Sequence, residues 1–460
     1  MKRVLLGIMT SAMVGFTALV GCTSDPENTD PAQFENVIFA TPFVGTFAFK
    51  AEEHKNAVFM AIERFEAAGG RPTRPIKLVI VDVSGDAAAA KAAMAAAIAN
   101  LTDTAGKVSL SSIISSSTGA MMASVPFALT HKVPHFEVSS GSGFDELDAP
   151  IRTLLGQPGA AEQFFAPRPL CMPEPEFTAD FLFQRQRTEA GWDKVGIIHT
   201  GEPHDLMHEQ YFIAGMKKHV STFEPVININ TLTTMKTFKQ AIGDLMAAGA
   251  NTMYFHMTGD AKNISFFQAA RDLNFQGNIV TCGMARIPDV LRVGDPDISP
   301  YLKDRLYFQM RGLSASPGLS TFNDDLRTYT QKNGENDIFS ASAYDSAMLV
   351  ALGLQYASAH EGTTLQQSIL AVATGEGTNQ RVVASNGVNS DIIQALKNGE
   401  DINYQGASSK LEFTPMHPAA PNGHDHFGYM TPGAYYVEQI KQKDANTYEY
   451  VALPAPVVER

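Results

Sequence analysis

Cysteine is scarce, with three in 460 residues at positions 22, 171 and 282. That is too few for a disulfide-stapled small domain, so the fold must be stabilised by apolar cores. Tryptophan occurs once, and Lys and Arg form no basic cluster. The net charge is −13, and −15 once Lys2 and Arg3 are set aside. Spread along the chain, that charge repels nucleic acid and anionic lipid headgroups, and no nucleic-acid partner is expected. After residue 22 no apolar run is long enough to span a bilayer. A P-loop, a nucleophile elbow and a zincin helix are all missing, so neither an enzyme nor a cofactor is expected.

What is present begins at the amino terminus. Lys2 and Arg3 precede the apolar run VLLGIMTSAMVGFTALVGC at residues 4–22, the pattern of a secretory signal. An uncleaved membrane anchor is the alternative, but the run is near the minimum span and contains Gly and Ser. Its end, Leu19-Val20-Gly21-Cys22, resembles the lipobox of bacterial lipoproteins. The resemblance implies a signal peptide over 1–21 and a Cys22 carrying diacylglycerol and an acylated amino terminus, palmitate among the chains. Each buried methylene contributes about 0.8 kcal/mol to such an anchor. Thr23 rather than Asp after the Cys favours the outer membrane if the envelope is Gram-negative. Residues 22–36 continue as an acidic, proline-bearing stretch with too little apolar surface to fold, a flexible linker.

From Val37 onward strands alternate with helices. Val37 to Ala40 is a short strand. Val58, Ala61, Ile62 and Phe65 then mark one helical face that stops at Gly69-Gly70. Ile76 to Val81 is a strand, the Ala-rich 87–101 a helix, Val108 to Ile114 a strand, Gly119 to Thr130 a helix, and Val133 to Val138 a strand. The pattern restarts with strands at 195–199, 225–229, 252–256 and 279–281, separated by helices at 206–219, 238–247 and 261–273. Strand and helix resume at 306–310 and 340–358. Such alternation predicts parallel sheets covered on both faces. Between the two runs, Phe164 to Phe177 holds four prolines and is expected to be an irregular crossover. Cys171 lies there, and a pairing with Cys282 is one option in an oxidising compartment. His417, His424, Asp425 and His426 fall in a Pro- and Gly-rich segment expected to be a loop, without the spacing of a metal site.

Several stretches stand out in order: Phe43-Val44-Gly45 through Ala68-Gly69-Gly70 to Asp82, Ser115-Ser116-Ser117-Thr118, and Val133-Pro134 leading into Ser139-Ser140. Trp192 to His199, Gln268 to Arg271, Ala343-Tyr344-Asp345, and Gly406 to Phe413 continue the series. Together they resemble the type I periplasmic binding proteins, the branched-chain amino acid binding group in particular. The resemblance implies an α/β chain of two doubly wound parallel-sheet lobes joined by three crossing segments, with a ligand cleft between them. The expected lobes are 37–168 plus 312–410 and 169–311 plus 411–460.

Ligands of open parallel sheets lie beyond the carboxyl ends of the strands. Ser115, Ser116, Ser117 and Thr118 fit that rule independently, following a strand and opening a helix whose amides can hold an anion. The alternative is that they only cap the helix. Ser139, Ser140, Gly141 and Ser142 end the next strand and are weighed in the same way. In the second lobe the resemblance points to His204 and Asp205, where amino-acid binders carry an aromatic residue. It also points to Gly259 within Thr258-Gly259-Asp260, which lacks the usual tyrosine, and to Gly283 within Cys282-Gly283-Met284, where those binders carry the acid that meets the ligand's ammonium. Asp205, Glu202 or Asp260 could substitute for it. Without such an acid a buried ammonium costs several kcal/mol, which disfavours free amino acids. Met121, Met122, Phe144, Met257 and Met284 are either core or an apolar cleft lining.

The function implied is a lipid-anchored, extracytoplasmic solute-binding protein that hands a small molecule to the permease of an ABC-type importer. The alternative is a sensor that passes the ligand signal to a membrane receptor. A structural envelope lipoprotein with a degenerate cleft is a third class, which predicts no stabilisation by any ligand.

Overall fold

A computed structural model describes residues 30–44, 48–138, 163–167, 173–201, 203–257, 260–282, 298–311, 319–331, 338–374, 381–408, 411, 413–417, 420–426, 435–444 and 447–453. The signal and lipobox lie outside these residues.

The first sheet is built from β1 (Glu35–Thr41), β2 (Ile76–Asp82), β3 (Ser112–Ser115), β4 (His135–Glu137) and β5 (Phe164–Phe165). These strands are all parallel, with β1 between β2 and β3. Alternation along β1 sends Val37 and Phe39 to one face and Ile38 and Ala40 to the other. On the first face lie Ala57, Val58, Ala61, Ile62 and Phe65 of α1 (Ala48–Ala67), the face predicted from spacing. On the second lie Ala90, Met94 and Ile98 of α2 (Ala87–Asn100) and Ala120, Ala123 and Ala128 of α3 (Thr118–His131). Asp86 starts α2 by accepting from Ala89 N at 2.8 Å.

The second lobe repeats the scheme. It has α4 (Pro173–Thr188), β6 (Val195–His199), α5 (Pro203–His219), β7 (Ile227–Asn230), α6 (Phe238–Ala247), β8 (Thr252–His256), α7 (Asp260–Asp272), β9 (Asn278–Cys282) and β10 (Leu306–Arg311), one-turn helices aside. Val195, Ile197, Tyr254, Val280 and Tyr307 pack with Phe181, Leu182 and Phe212 of α4 and α5. Ile198, Phe255, Ile279 and Phe308 pack on the other face with Leu245, Phe266 and Phe267 of α6 and α7. Burying each such side chain contributes about 1.5–3 kcal/mol.

The chain then returns to the first lobe through α8 (Leu319–Thr330), α9 (Ile338–Ala359), α10 (Leu365–Thr374), β11 (Arg381–Ala384), α11 (Ser390–Lys397) and β12 (Ile402–Gln405). Tyr344, Ala347 and Met348 of α9 share the core of α1. β11 and β12 form a small parallel pair. The last four strands are β13 (Phe413–His417), β14 (Ala420–His426), β15 (Tyr435–Gln442) and β16 (Tyr448–Ala452). The full orders are β13-β14-β5-β4-β3-β1-β2 and β16-β15-β10-β9-β8-β6-β7, a two-lobed α/β fold in which the chain passes between sheets three times.

Four expectations change. The expected linker ends before residue 36, since Pro31–Gln33 form a one-turn 3-10 helix and the buried β1 begins at Glu35. Residues 411–426 do not go with the second lobe, because His424 of β14 pairs with Phe165 and places this hairpin on the first sheet; only β15 and β16 join the second. The histidine-bearing segment is that hairpin and not a loop, with Phe413 opposite His426 and Thr414 opposite Asp425. Of its prolines, Pro415 stands in β13, an edge strand with a ladder partner on one side only. The proline-rich crossover contains β5 and the start of α4. Pro173 and Pro175 fall in a first helical turn, whose amides have no intrahelical acceptor to lose.

Candidate functional site

In the first lobe the carboxyl ends of β1, β2 and β3 stand together because the strands are parallel and in register. The turn after β1 is fixed by the end of β2: Phe43 N donates to Asp82 Oδ1 (3.2 Å) and Val44 N to Ser84 Oγ (2.8 Å). Beside it runs Ser115 to Thr118. Ser115 is buried and donates to Phe136 O at 3.3 Å. Ser116 donates to Thr41 Oγ1 at 2.6 Å. Ser117, with extended backbone, caps α3 by accepting from Ala120 N at 3.2 Å. Thr118 is half-buried in the first turn. The structure therefore places the four hydroxyl residues between the carboxyl end of β3 and the first turn of α3. At least Ser115, Ser116 and Ser117 also bond within the fold, so the capping role is present whatever else they do.

Of the second-lobe candidates, Asp205 is described most fully. It lies in the first turn of α5 and is wholly buried. One carboxylate oxygen accepts from Thr200 N (3.3 Å) and from the Thr200 hydroxyl, and the other meets His256 Nδ1 at 2.9 Å. His256 stacks on His208 with ring centroids 3.7 Å apart, and His208 meets Tyr254 Oη at 3.4 Å and Glu174 at 3.7 Å. His199 pairs in register with His256 across β6 and β8. Burial lowers its pKa, opposed by the nearby Glu209 and Asp205 carboxylates. The result is a buried layer of imidazoles and acids just below the strand ends. Sequence reasoning identified Asp205 but missed His199, His256 and His208; for the first two the available signal was that VGIIH and TMYFH are apolar strands each ending in His, whereas His208 on α5 left none.

His204 occupies the first turn of α5, and its side chain lies outside the described residues, as does that of Asp260 at the start of α7. Ser139, Ser140, Gly141, Ser142, Phe144, Cys171, Glu202, Gly259, Gly283 and Met284 lie outside them too. Met121 and Met257 are buried, Met257 within the second-lobe core, so these two are packing and not lining; Met122 is half-buried. Cys282 is buried at the end of β9. Exposed apolar side chains stand at strand ends of both lobes, Val44 after β1 and Leu232 and Met235 after β7. Among the described residues no group of three or more His, Cys, Asp or Glu is arranged to hold a metal ion, and no helix is long and apolar enough to cross a membrane.

Two doubly wound lobes, between which the chain passes three times, are the architecture of the two-lobed binding proteins. A family model described as periplasmic binding protein matches residues 37–385, and the chain belongs to that family. Membership implies an extracytoplasmic location and a substrate-binding role. Similar solved structures include the leucine binding protein LivK of Thermotoga maritima MSB8, 15% identical over 92% of this chain and 99% of that one, with a TM-score of 0.61. A periplasmic binding protein type 1 from Bordetella pertussis Tohama I is 15% identical over 91% and 100%, TM-score 0.64. A solute binding protein of an ABC transporter from R. palustris, in complex with 4-hydroxybenzoate, is 13% identical over 93% and 100%, TM-score 0.60. No curated protein matches the sequence.

Proposed function

We propose that this protein is a lipid-anchored solute-binding protein, held to a membrane by acylated Cys22. It captures a small molecule between its lobes and delivers it to the permease of an ABC-type importer. Closure follows from differential affinity: a ligand touching both lobes shifts the population toward the closed form. The ligand is an uncharged or carboxylate-bearing compound with an apolar body, such as an aromatic carboxylate of the kind held by the R. palustris relative, and not a free amino acid.

The state of Asp205 carries this reading of the ligand. Its two oxygens are engaged by Thr200 and His256 and it has no exposed surface, so it is badly placed to neutralise an incoming ammonium. In the first lobe, the Ser117 hydroxyl, which accepts from Ala120 N, and the amides opening α3 suit a carboxylate, and the exposed Val44, Leu232 and Met235 suit an apolar body.

Thermal melting with a panel of leucine, isoleucine, valine, benzoate and 4-hydroxybenzoate tests the proposal, with mass spectrometry of co-purifying small molecules beside it. A ligand at a hundred times its dissociation constant adds about 2.7 kcal/mol of stability, a visible shift. Stabilisation by the aromatic acids and not by the amino acids is expected. Tight binding of a branched-chain amino acid would overturn the ligand class, and a protein with no co-purifying molecule that nothing stabilises would overturn capture itself.

A further inference from the structure

Asp345 on α9 is wholly buried, and four donors converge on its carboxylate. Tyr404 Oη and Ala407 N reach Oδ1, each at 2.8 Å. Ser408 N and Ser408 Oγ reach Oδ2 at 2.7 and 2.6 Å. Gly406 makes this approach possible, since a Cβ there would lie 2.5 Å from Oδ2. Ser408 Oγ also lies 2.7 Å from the carbonyl oxygen of Pro167, which accepts from Ser342 Oγ at 2.9 Å. Pro167 stands two residues past β5, where the chain leaves the first sheet for the second lobe.

A hydroxyl carries one hydrogen, and Ser408 has two acceptors within reach. When Asp345 is ionised the hydrogen goes to the carboxylate, because charge-assisted hydrogen bonds are roughly twice as strong as neutral ones. When Asp345 takes a proton from solvent on Oδ2, the carboxyl becomes the donor and Ser408 Oγ its acceptor. The serine hydrogen is then released to Pro167 O. We propose that Asp345, Ser408 and Pro167 form a proton-operated switch that tightens the chain's first passage between the lobes when Asp345 is protonated.

The surroundings isolate this titration. Tyr404 on β12 and Tyr344 on α9 are pushed above the usual phenol range by burial and stay neutral. Arg64 of α1 donates to Tyr344 Oη at 3.0 Å and pairs with Asp325 of α8 at 2.8 Å, so its charge is fixed. Burial raises the pKa of Asp345 to about 6, with the bonds from Ser408, Ala407 and Tyr404 pulling it down. The switch therefore operates in mildly acidic solution and is independent of which ligand the cleft holds.

Pro167–Arg168 is the only Pro–Arg pair in the sequence. Protein labelled with carbonyl-labelled proline and nitrogen-labelled arginine gives a single HNCO correlation, which reports the Pro167 carbonyl directly. In the unmodified protein its shift should titrate with one midpoint near 6, the value expected of Asp345. Ser408→Ala should abolish the titration, and Asp345→Asn should leave the signal flat at every pH. A flat signal in the unmodified protein between about pH 4 and 8, or a titration that persists in Ser408→Ala, would overturn the switch. The first measurement needs no variant to fold.

Discussion

His135 on β4 is buried, with Nε2 2.9 Å from Ser124 Oγ and its ring stacked on Phe164 at 5.4 Å. Ser124 also reaches Ala120 O at 2.7 Å, so the imidazole is the donor to it. Burial holds the His135 pKa at about 3, well below its ordinary 6.5. Between those values the unfolded chain binds a proton that the fold does not. The contribution is therefore complete above 6.5 and is lost as pH falls, by about 1.4 kcal/mol per unit. Asp345 has the opposite sign: its pKa is raised from 3.8, so its contribution grows as pH falls from about 6. His135→Phe is expected to flatten the acid limb of urea-unfolding stability between pH 6.5 and 3; an unchanged slope would contradict this. At Asp205, truncation to Ala strands Thr200 and His256 in a buried layer, and a loss of about 3–5 kcal/mol is expected in the same assay. A loss below about 1 kcal/mol would mean that the Asp205 bonds are not formed in solution. That His256 ends an apolar strand was legible in the sequence, but the partners were not: Asp205 is 51 residues from His256 and Ser124 is 11 from His135, and neither separation leaves a local pattern.

Elements with a repeating face were legible. In α2, Ala90, Met94 and Ile98 are the buried residues, as spacing requires, and β2 begins at the predicted Ile76. Elements without a period were not. β5 has two residues, too few to alternate, and β3 starts at Ser112, four residues later than predicted, with Val108 only in an isolated bridge to Thr102. Composition also misled: Pro173 and Pro175 read as breakers, although at a helix start they are tolerated. The hydroxyl cluster was found from its place between strand and helix, but only the structure separates its parts. As the cap of α3, Ser117 is expected to contribute about 1 kcal/mol, so Ser117→Ala should lower the unfolding midpoint accordingly. No change would mean that solvent or ligand serves the Ala120 amide equally well. Weaker binding beyond that stability loss would add a ligand role.

At the scale of the molecule, the two lobes and their alternation could be read ahead of the structure, whereas the partition of the last strands could not. Nothing in the segment after 410 states which sheet it will join; that depends on which edge is open. Among the described residues no helix is able to span a bilayer, so Cys22→Ser should move the protein from the membrane to the soluble fraction. Retention would contradict the lipid anchor. The same partition bears on how the chain is made. β13 and β14 cover the edge left by β5, while β15 and β16 cover the edge left by β10. Residues 413–452 follow every other strand of both sheets in chain order, so until they leave the ribosome each lobe has a bare strand edge open to other chains. Neither lobe can finish folding ahead of the other during synthesis, and a chain cut short near residue 410 would be incomplete in both halves at once. Both sheets stay open at one edge until residues 413–452 have been synthesised.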